Sequence, residues 1–409
     1  MIRSFKLRTT TIIDALLIFY IVCILILTYS SNYRISNITA VILMGLLAIY
    51  ALRRKHFVVS GLPVFLFPFL GICFLSILWA VDRSMAFGKC VTLTELFILS
   101  ILLYNYIIRE NKLDFFLNAI IIACSIFSIY TISAYGLSGY IAGFLSGRRM
   151  GSVFQNTNGI GIANGPAFLI SVWYLYYFRK KIYWIPAVLC GIVVIGTISR
   201  TALLATFGGL LITFLLKGNS LKKIKSFGIV AILLVGVYFL IQLPAFSGVY
   251  SRFDLLIDAY NGKASATGGT AIRFRMVEIG LEYFKHHPLT GVGIGCSAYI
   301  TSQLGLFTYL HNNYVELLSS IGIIGFIAYY LLYIVPSLQF LERVKSQEPY
   351  AIIGLVLIAF RLLAQFGTVE YSVKATYLYF IIFFALCRKI KDNLTSDFQM
   401  SEGGHYSNE

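Results

Sequence analysis

The sequence predicts an all-α polytopic integral membrane protein of about twelve transmembrane helices with one large loop on the extracytoplasmic side. Three observations predict it. The chain has 409 residues, of which 58% are hydrophobic and only 12% charged, about half the charge of a soluble domain. Apolar runs of about 16–24 residues recur along it, each near the ~20 needed to cross a bilayer core. Its aromatic content of 16% suits interfacial tyrosine and tryptophan belts.

The apolar runs centre on 11–29, 37–52, 57–79, 88–107, 114–136, 159–177, 183–198, 201–216, 226–243, 313–335, 350–365 and 375–388. The first is long enough to remain as an anchor, and no small-residue cleavage site follows it. Basic residues cluster at alternate junctions: Arg3, Lys6 and Arg8; Arg53, Arg54 and Lys55; Arg109 and Lys112; Arg179, Lys180 and Lys181; Lys217, Lys222, Lys223 and Lys225; Arg343 and Lys345; Arg388, Lys389 and Lys391. An even number of spans puts all of these on one side, which the positive-inside rule makes cytoplasmic together with both termini. The formal net charge of +16 is therefore a topology signal, and nucleic acid is not an expected partner. The chain reads as a single transmembrane domain over 1–391, with the large extracytoplasmic loop at about 244–312. A polar, disordered cytoplasmic tail is expected over 392–409. The seven cysteines show no metal-ligand or disulfide spacing and read as small hydrophobes.

Basic residues on the other face oppose the topology rule and need another reason, of which binding an anion is the plainest. Three polar signals fall at the outer starts of predicted inward-running helices: Asn158, Arg200 and the pair His311-Asn312. Helix starts offer unpaired N–H groups and the positive end of a dipole, so together they would make a cradle for an anion. Arg149 lies in the loop before Asn158. Arg200, flanked closely by apolar helix, is a functional candidate by its cost in lipid. Arg273 and Arg275 share an amphipathic helix from about 270 to 286. Arg275 has Glu278 and Glu282 as neighbours on its own face and is explained by a surface ion pair. Arg273 has no acidic partner there, and a planar guanidinium suits phosphate. Gly291, Gly293 and Gly295 lack the strand-turn-helix context of a nucleotide loop and read as tight turns or close backbone approach. His311 is the one histidine expected to open a spanning helix on the outer face. The helix dipole would keep its imidazole neutral, as a general base requires. Outer carboxylates show no paired spacing for Mg²⁺ or Mn²⁺, so no metal and no cofactor is expected. Arg361 could pair with Glu370 or Glu316, or face a cavity.

At these residues the chain resembles the O-antigen polymerase/O-antigen ligase superfamily of bacterial envelope proteins. The resemblance rests on Arg149-Met150-Gly151 leading to Asn158, on Ser199-Arg200-Thr201, on Arg273 followed by Pro288-Leu289-Thr290-Gly291-Val292-Gly293, and on His311-Asn312-Asn313-Tyr314 followed by Gly322-Ile323-Ile324-Gly325. It departs where the family's tryptophan, four residues after the loop arginine, is Val277, which keeps both Arg273 and Arg275 in play. The resemblance implies a metal-independent inverting glycosyltransferase with a GT-C-like architecture in the bacterial inner membrane. Its donor would be a glycan on undecaprenyl diphosphate, bound on the extracytoplasmic side. Arg200 and Arg273 would neutralise the leaving diphosphate and His311 would take the acceptor proton, with Arg275, Arg149, Asn158, Asn312 and Arg361 contacting substrate. Membrane lipid and a chain-length-regulating membrane protein are the further expected partners. The implied product is O-antigen or capsule polysaccharide made by a polymerase. The alternatives are an O-antigen ligase acting on a lipid A core or protein, and a transporter or flippase of lipid-linked saccharide.

Overall fold

The computed structural model describes residues 2–27, 33–54, 57–151, 156–216 and 269–403. Every regular element among them is helical. In chain order these are α1 (Ile2–Ile26), α2 (Tyr33–Arg53), α3 (Leu62–Leu75), α4 (Arg83–Arg109), α5 (Leu113–Ser133), α6 (Leu137–Leu145) and α7 (Thr157–Phe178). They continue with α8 (Trp184–Gly196), α9 (Arg200–Leu215), α10 (Gly269–His286), α11 (Ser297–Ser302), α12 (Asn313–Val344), α13 (Pro349–Ala364) and α14 (Lys374–Gly403). Eleven of the predicted apolar runs coincide with helices; the run at 226–243 lies outside the described residues. Among the described residues, five segments are long and apolar enough to cross a membrane: Thr9–Ile26, Arg34–Arg53, Arg83–Arg109, Leu113–Ser133 and Asn313–Val344. The protein is an all-helical chain with membrane-spanning character.

Polar contacts knit one end of the bundle. Arg54 pairs with Glu110 at 2.8 Å, joining the ends of α2 and α4. Asp114 accepts from Tyr174 and Tyr350, joining the start of α5 to the end of α7 and the start of α13. Gln347 donates to the Leu216 carbonyl and Lys389 to Asn111. The basic clusters of the described junctions therefore share this end, as their alternation along the sequence predicts.

Two stretches differ from the sequence reading. The segment at 138–157, read as a loop, contains the short helix α6. The segment at 392–403, read as disordered tail, continues α14 to Gly403. No proline or glycine precedes Gly403 in it, so nothing in that stretch breaks the helix.

The largest correction concerns α12. It is not one straight helix: Gly322 has φ 64° and ψ −171°. In a straight helix Asn313 and Tyr330 would lie ~25 Å apart. Here Asn313 Nδ2 donates to the Tyr330 hydroxyl at 3.2 Å, and the Tyr314 and Tyr330 rings stack with centroids 5.2 Å apart. Residues 313–321 thus form a half-helix folded back along 323–330. His311 opens this half-helix, which runs toward the kink, and not an inward-running spanning helix.

What breaks α12 is the loop at 288–296. Val292 and Gly293 donate to the carbonyls of Ser319 and Ser320, at 2.9 and 2.8 Å, and Ile323 donates to Pro288. The loop is held from its other side by Trp79 Nε1, which donates to Thr290, and by Ser76 Oγ, which accepts from Ile294. Irregular backbone survives at depth in a membrane protein when such partners satisfy it. Gly291 has φ 63°, and a Cβ there would collide with the Ser320–Ile321 peptide; one at Gly322 would collide with Leu289 and Thr290. Two main chains meet here, as the reading of close backbone approach expects.

Candidate functional site

The site is assembled at the end of the bundle opposite the knitted one, from the starts of α7, α9 and the half-helix 313–321. Ser199 caps α9 with its hydroxyl and Asn156 caps α7. Asn158, 8% exposed, bridges the two. Its Oδ1 accepts from Ser199 Oγ at 2.9 Å and from Arg149 Nη2 at 2.8 Å. Arg149 Nε also donates to the Thr197 carbonyl at 3.1 Å. Small residues let the helices close up, since a Cβ on Gly161 would meet Ala202 and Thr197. Arg200, the first residue of α9, is half-buried beside this brace.

The turn between α13 and α14 joins the α9 start to the half-helix. Thr201 packs against Gly367. Asn313, fully buried, donates through its backbone N–H to the Gln365 carbonyl and through Nδ2 to Gln365 Oε1, both at 2.9 Å. Its Oδ1 accepts from the backbone N–H groups of Glu370 and Tyr371, at 2.8 and 3.0 Å. Asn312 is the neighbouring cap: its Oδ1 accepts from Tyr314 N and Val315 N. The Asn-Asn doublet therefore divides its work. Asn312, the residue singled out from the sequence, caps the half-helix, and Asn313, passed over, anchors it.

His311 precedes these two with φ 57°, a left-handed conformation that histidine tolerates better than most residues. Its ring lies 4.3 Å from that of Tyr309. Burial and the nearby positive charge of Arg273 hold its pKa down to about 4. It is neutral at physiological pH, as the sequence reading required, but through desolvation and a neighbouring cation. Arg273, half-buried on α10, also acts electrostatically on Tyr309. Arg275 is exposed and forms no ion pair among the described residues, so Glu278 and Glu282 do not hold it.

Beside this assembly lies a cleft of about 340 Å³ between α1, α5, α7 and α14. Asn156, Tyr309, Thr368, Glu370 and Lys374 line its polar part. Arg361 and Glu370 both border it and pair at 2.6 Å, so the alternatives open in the sequence are met together. Arg361 also donates to Thr376 Oγ1 and sits over the Tyr379 ring. Glu316 is engaged elsewhere, accepting from Leu310 N at 2.9 Å. Sequence reading missed Tyr309, Asn313, Gln365 and Lys374. Asn313 stands within the His311-Asn312-Asn313-Tyr314 motif but was not singled out there, and the other three belong to no motif; the signal for Lys374 was a lysine at the helix end opposite Arg388 and Lys389.

A sequence model of the O-antigen ligase family matches residues 185–330. The matched stretch contains Arg200, Arg273 and His311. No curated protein matches the chain significantly. The match implies a glycosyltransferase-like enzyme that handles a lipid-linked glycan at a membrane. Residues 185–330 are thus similar to the O-antigen ligase family, which supports the resemblance to the O-antigen polymerase/ligase superfamily.

Proposed function

We propose that the protein polymerises lipid-linked oligosaccharide repeat units at the extracytoplasmic face of the inner membrane, as an inverting glycosyltransferase with a GT-C-like plan. The acceptor hydroxyl of one unit attacks the anomeric carbon of the glycan carried on undecaprenyl diphosphate. His311 takes the hydroxyl proton, the new glycosidic C–O bond forms, and the anomeric bond to the diphosphate breaks with inversion. Negative charge grows on the departing diphosphate, where Arg200 and Arg273 stabilise it. Arg149, Asn158 and Asn312 hold the helix starts that aim those groups, while Arg275 and Arg361 remain candidates for substrate contact.

The observation that carries this reading is a His311 kept neutral by burial and by the nearby charge of Arg273. A histidine kept neutral beside an arginine is a base next to an anion site, which is what acid–base glycan transfer from a diphosphate needs. The cleft adjoining the base has an apolar wall as well as a polar rim, which supports a second lipid-linked molecule as acceptor. The test is glycan chain length in cells lacking the gene, complemented with wild type or His311→Ala. Collapse to a single repeat on the normal acceptor, restored by wild type alone, supports polymerase action through His311. Long glycan left on undecaprenyl diphosphate supports the ligase reading. Full rescue by His311→Ala removes the general base.

A further inference from the structure

Resting on that polymerase reading, we infer that the cleft between α1, α5, α7 and α14 seats the prenyl diphosphate of the acceptor, with Lys374 as its phosphate-binding cation. The wall formed by Ile21, Ile24, Ile120, Ile162 and Leu378 is hydrocarbon. Lys374 stands at its rim as the first residue of α14. The placement is costly twice over. A cation at a helix N-terminus opposes the dipole, and this end of α14 is the one away from Arg388 and Lys389, so topology does not call for it. Lys374 donates to Ser36 Oγ at 3.1 Å and to Asn37 Oδ1, both neutral, and forms no ion pair among the described residues. Glu95 acts on it only through space, so its ammonium keeps a hydrogen for an anionic ligand. The Nε atom of Arg361, a residue 2% exposed and also bordering the cleft, has no hydrogen-bond partner.

Hydrocarbon wall, a lysine at the rim in excess of the mutually neutralised Arg361–Glu370 pair, and an unpartnered buried donor together describe a ligand with an apolar chain and an anionic head. The cleft is also separate from the Arg200 side of the site. The first turns of α7 stand between them, with Gly161 against Ala202 and Gly159, Ile162 and Ala163 facing the cleft. Tyr309 borders the cleft and its ring lies tilted against that of His311. An acceptor held here would present its sugar to the base from the side opposite Arg200, next to Tyr309 and within the influence of Arg273. Transfer between two lipid-linked molecules needs two such seats.

The test is photocrosslinking of the full-length protein in nanodiscs with a diazirine-bearing farnesyl diphosphate, competed by unlabelled farnesyl diphosphate, farnesol or phosphatidylglycerol. The expected labels fall on residues 21–25 and 373–378. Unlabelled farnesyl diphosphate should compete at least about tenfold better than farnesol, and Lys374→Gln should erase that preference, since a charge-assisted hydrogen bond contributes about 1.5–3 kcal/mol. Labels elsewhere, or an unchanged preference in Lys374→Gln, overturn the inference without touching the catalytic reading. Equal competition by phosphatidylglycerol makes the cleft an ordinary phospholipid site and also overturns it. Correct labelling by a protein that does not elongate glycan in cells sustains the seat and sinks the polymerase reading instead.

Discussion

In the proposed mechanism His311 is the general base, and its protonation would set a pH dependence. Burial and Arg273 hold its pKa down to about 4 from an ordinary value near 6.5. The imidazole is therefore the neutral base over the whole physiological range. The acid limb of kcat/KM, which reports the free enzyme, should fall near pH 4. Arg273→Gln removes the smaller cause, the like charge, and leaves burial in place, so it should move that limb part of the way upward while lowering the rate. A limb unmoved by Arg273→Gln would show that the two residues do not communicate. For stability the sign is the same. The unfolded histidine binds a proton at higher pH than the folded one, so this contribution is complete above about pH 6.5 and is lost as pH falls toward about 4. Asn313 makes a contrasting prediction. Asn313→Leu leaves the buried N–H groups of Glu370 and Tyr371 without their acceptor. Each such loss costs about 1–3 kcal/mol, so thermal unfolding of the purified protein should occur at clearly lower temperature. A melting temperature within a degree of wild type would contradict the anchoring role.

At the scale of elements, the half-helix 313–321 and the loop at 288–296 form one device. The loop takes the carbonyls that a continuous helix would have used, and the freed half-helix carries His311 and Asn313 back toward Tyr330 and Gln365. Gly322 is the hinge of this arrangement. Gly322→Ala adds a Cβ where the backbone of Leu289 and Thr290 already lies, at a φ that alanine adopts only with strain. The strain alone costs about 1–3 kcal/mol, and the collision adds to it. This variant should lose activity and stability together, whereas Gly45→Ala, with open space around its Cβ position, should match wild type on both. Equal behaviour of the two variants would mean the kink is dispensable. This is also where the sequence was least legible. Apolar composition marks residues 313–335 as helix but does not reveal reversal within it, because Gly322 is one glycine among the 34 in the chain. Only the Pro288-Leu289-Thr290-Gly291 loop, distant in sequence, explains why the break occurs there.

At the scale of the whole molecule, the sequence was far more informative. Hydrophobic run length set the helices, and alternation of basic clusters anticipated which helix ends meet, as Arg54 with Glu110 and Lys389 with Asn111 bear out. Asn158, Arg149 and the Arg200 helix start could be named because each is polar or charged at the edge of an apolar run. Their hydrogen-bonded partnership could not, since it depends on Gly161 letting α7 and α9 approach. Lys374 and Tyr309 went unnoticed because single residues at helix edges gain meaning only when a cleft joins them. The proposed orientation puts the basic end in the cytoplasm. A cysteine at Lys345 should then resist a membrane-impermeant maleimide in intact spheroplasts, and one at Leu137 should react; the reverse pattern would invert the proposed topology.

The central claim is that a neutral His311 beside Arg273 drives glycan transfer from a lipid diphosphate. Its most direct test uses purified protein in nanodiscs with an undecaprenyl-diphosphate-linked repeat unit, following glycan length and release of undecaprenyl diphosphate together. Wild type should lengthen the glycan and release one lipid diphosphate per bond formed. His311→Ala should retain substrate binding while losing at least about a hundredfold in rate, the lower end of general-base contributions. Wild-type turnover by His311→Ala, or glycan movement with no lipid diphosphate released, would contradict it.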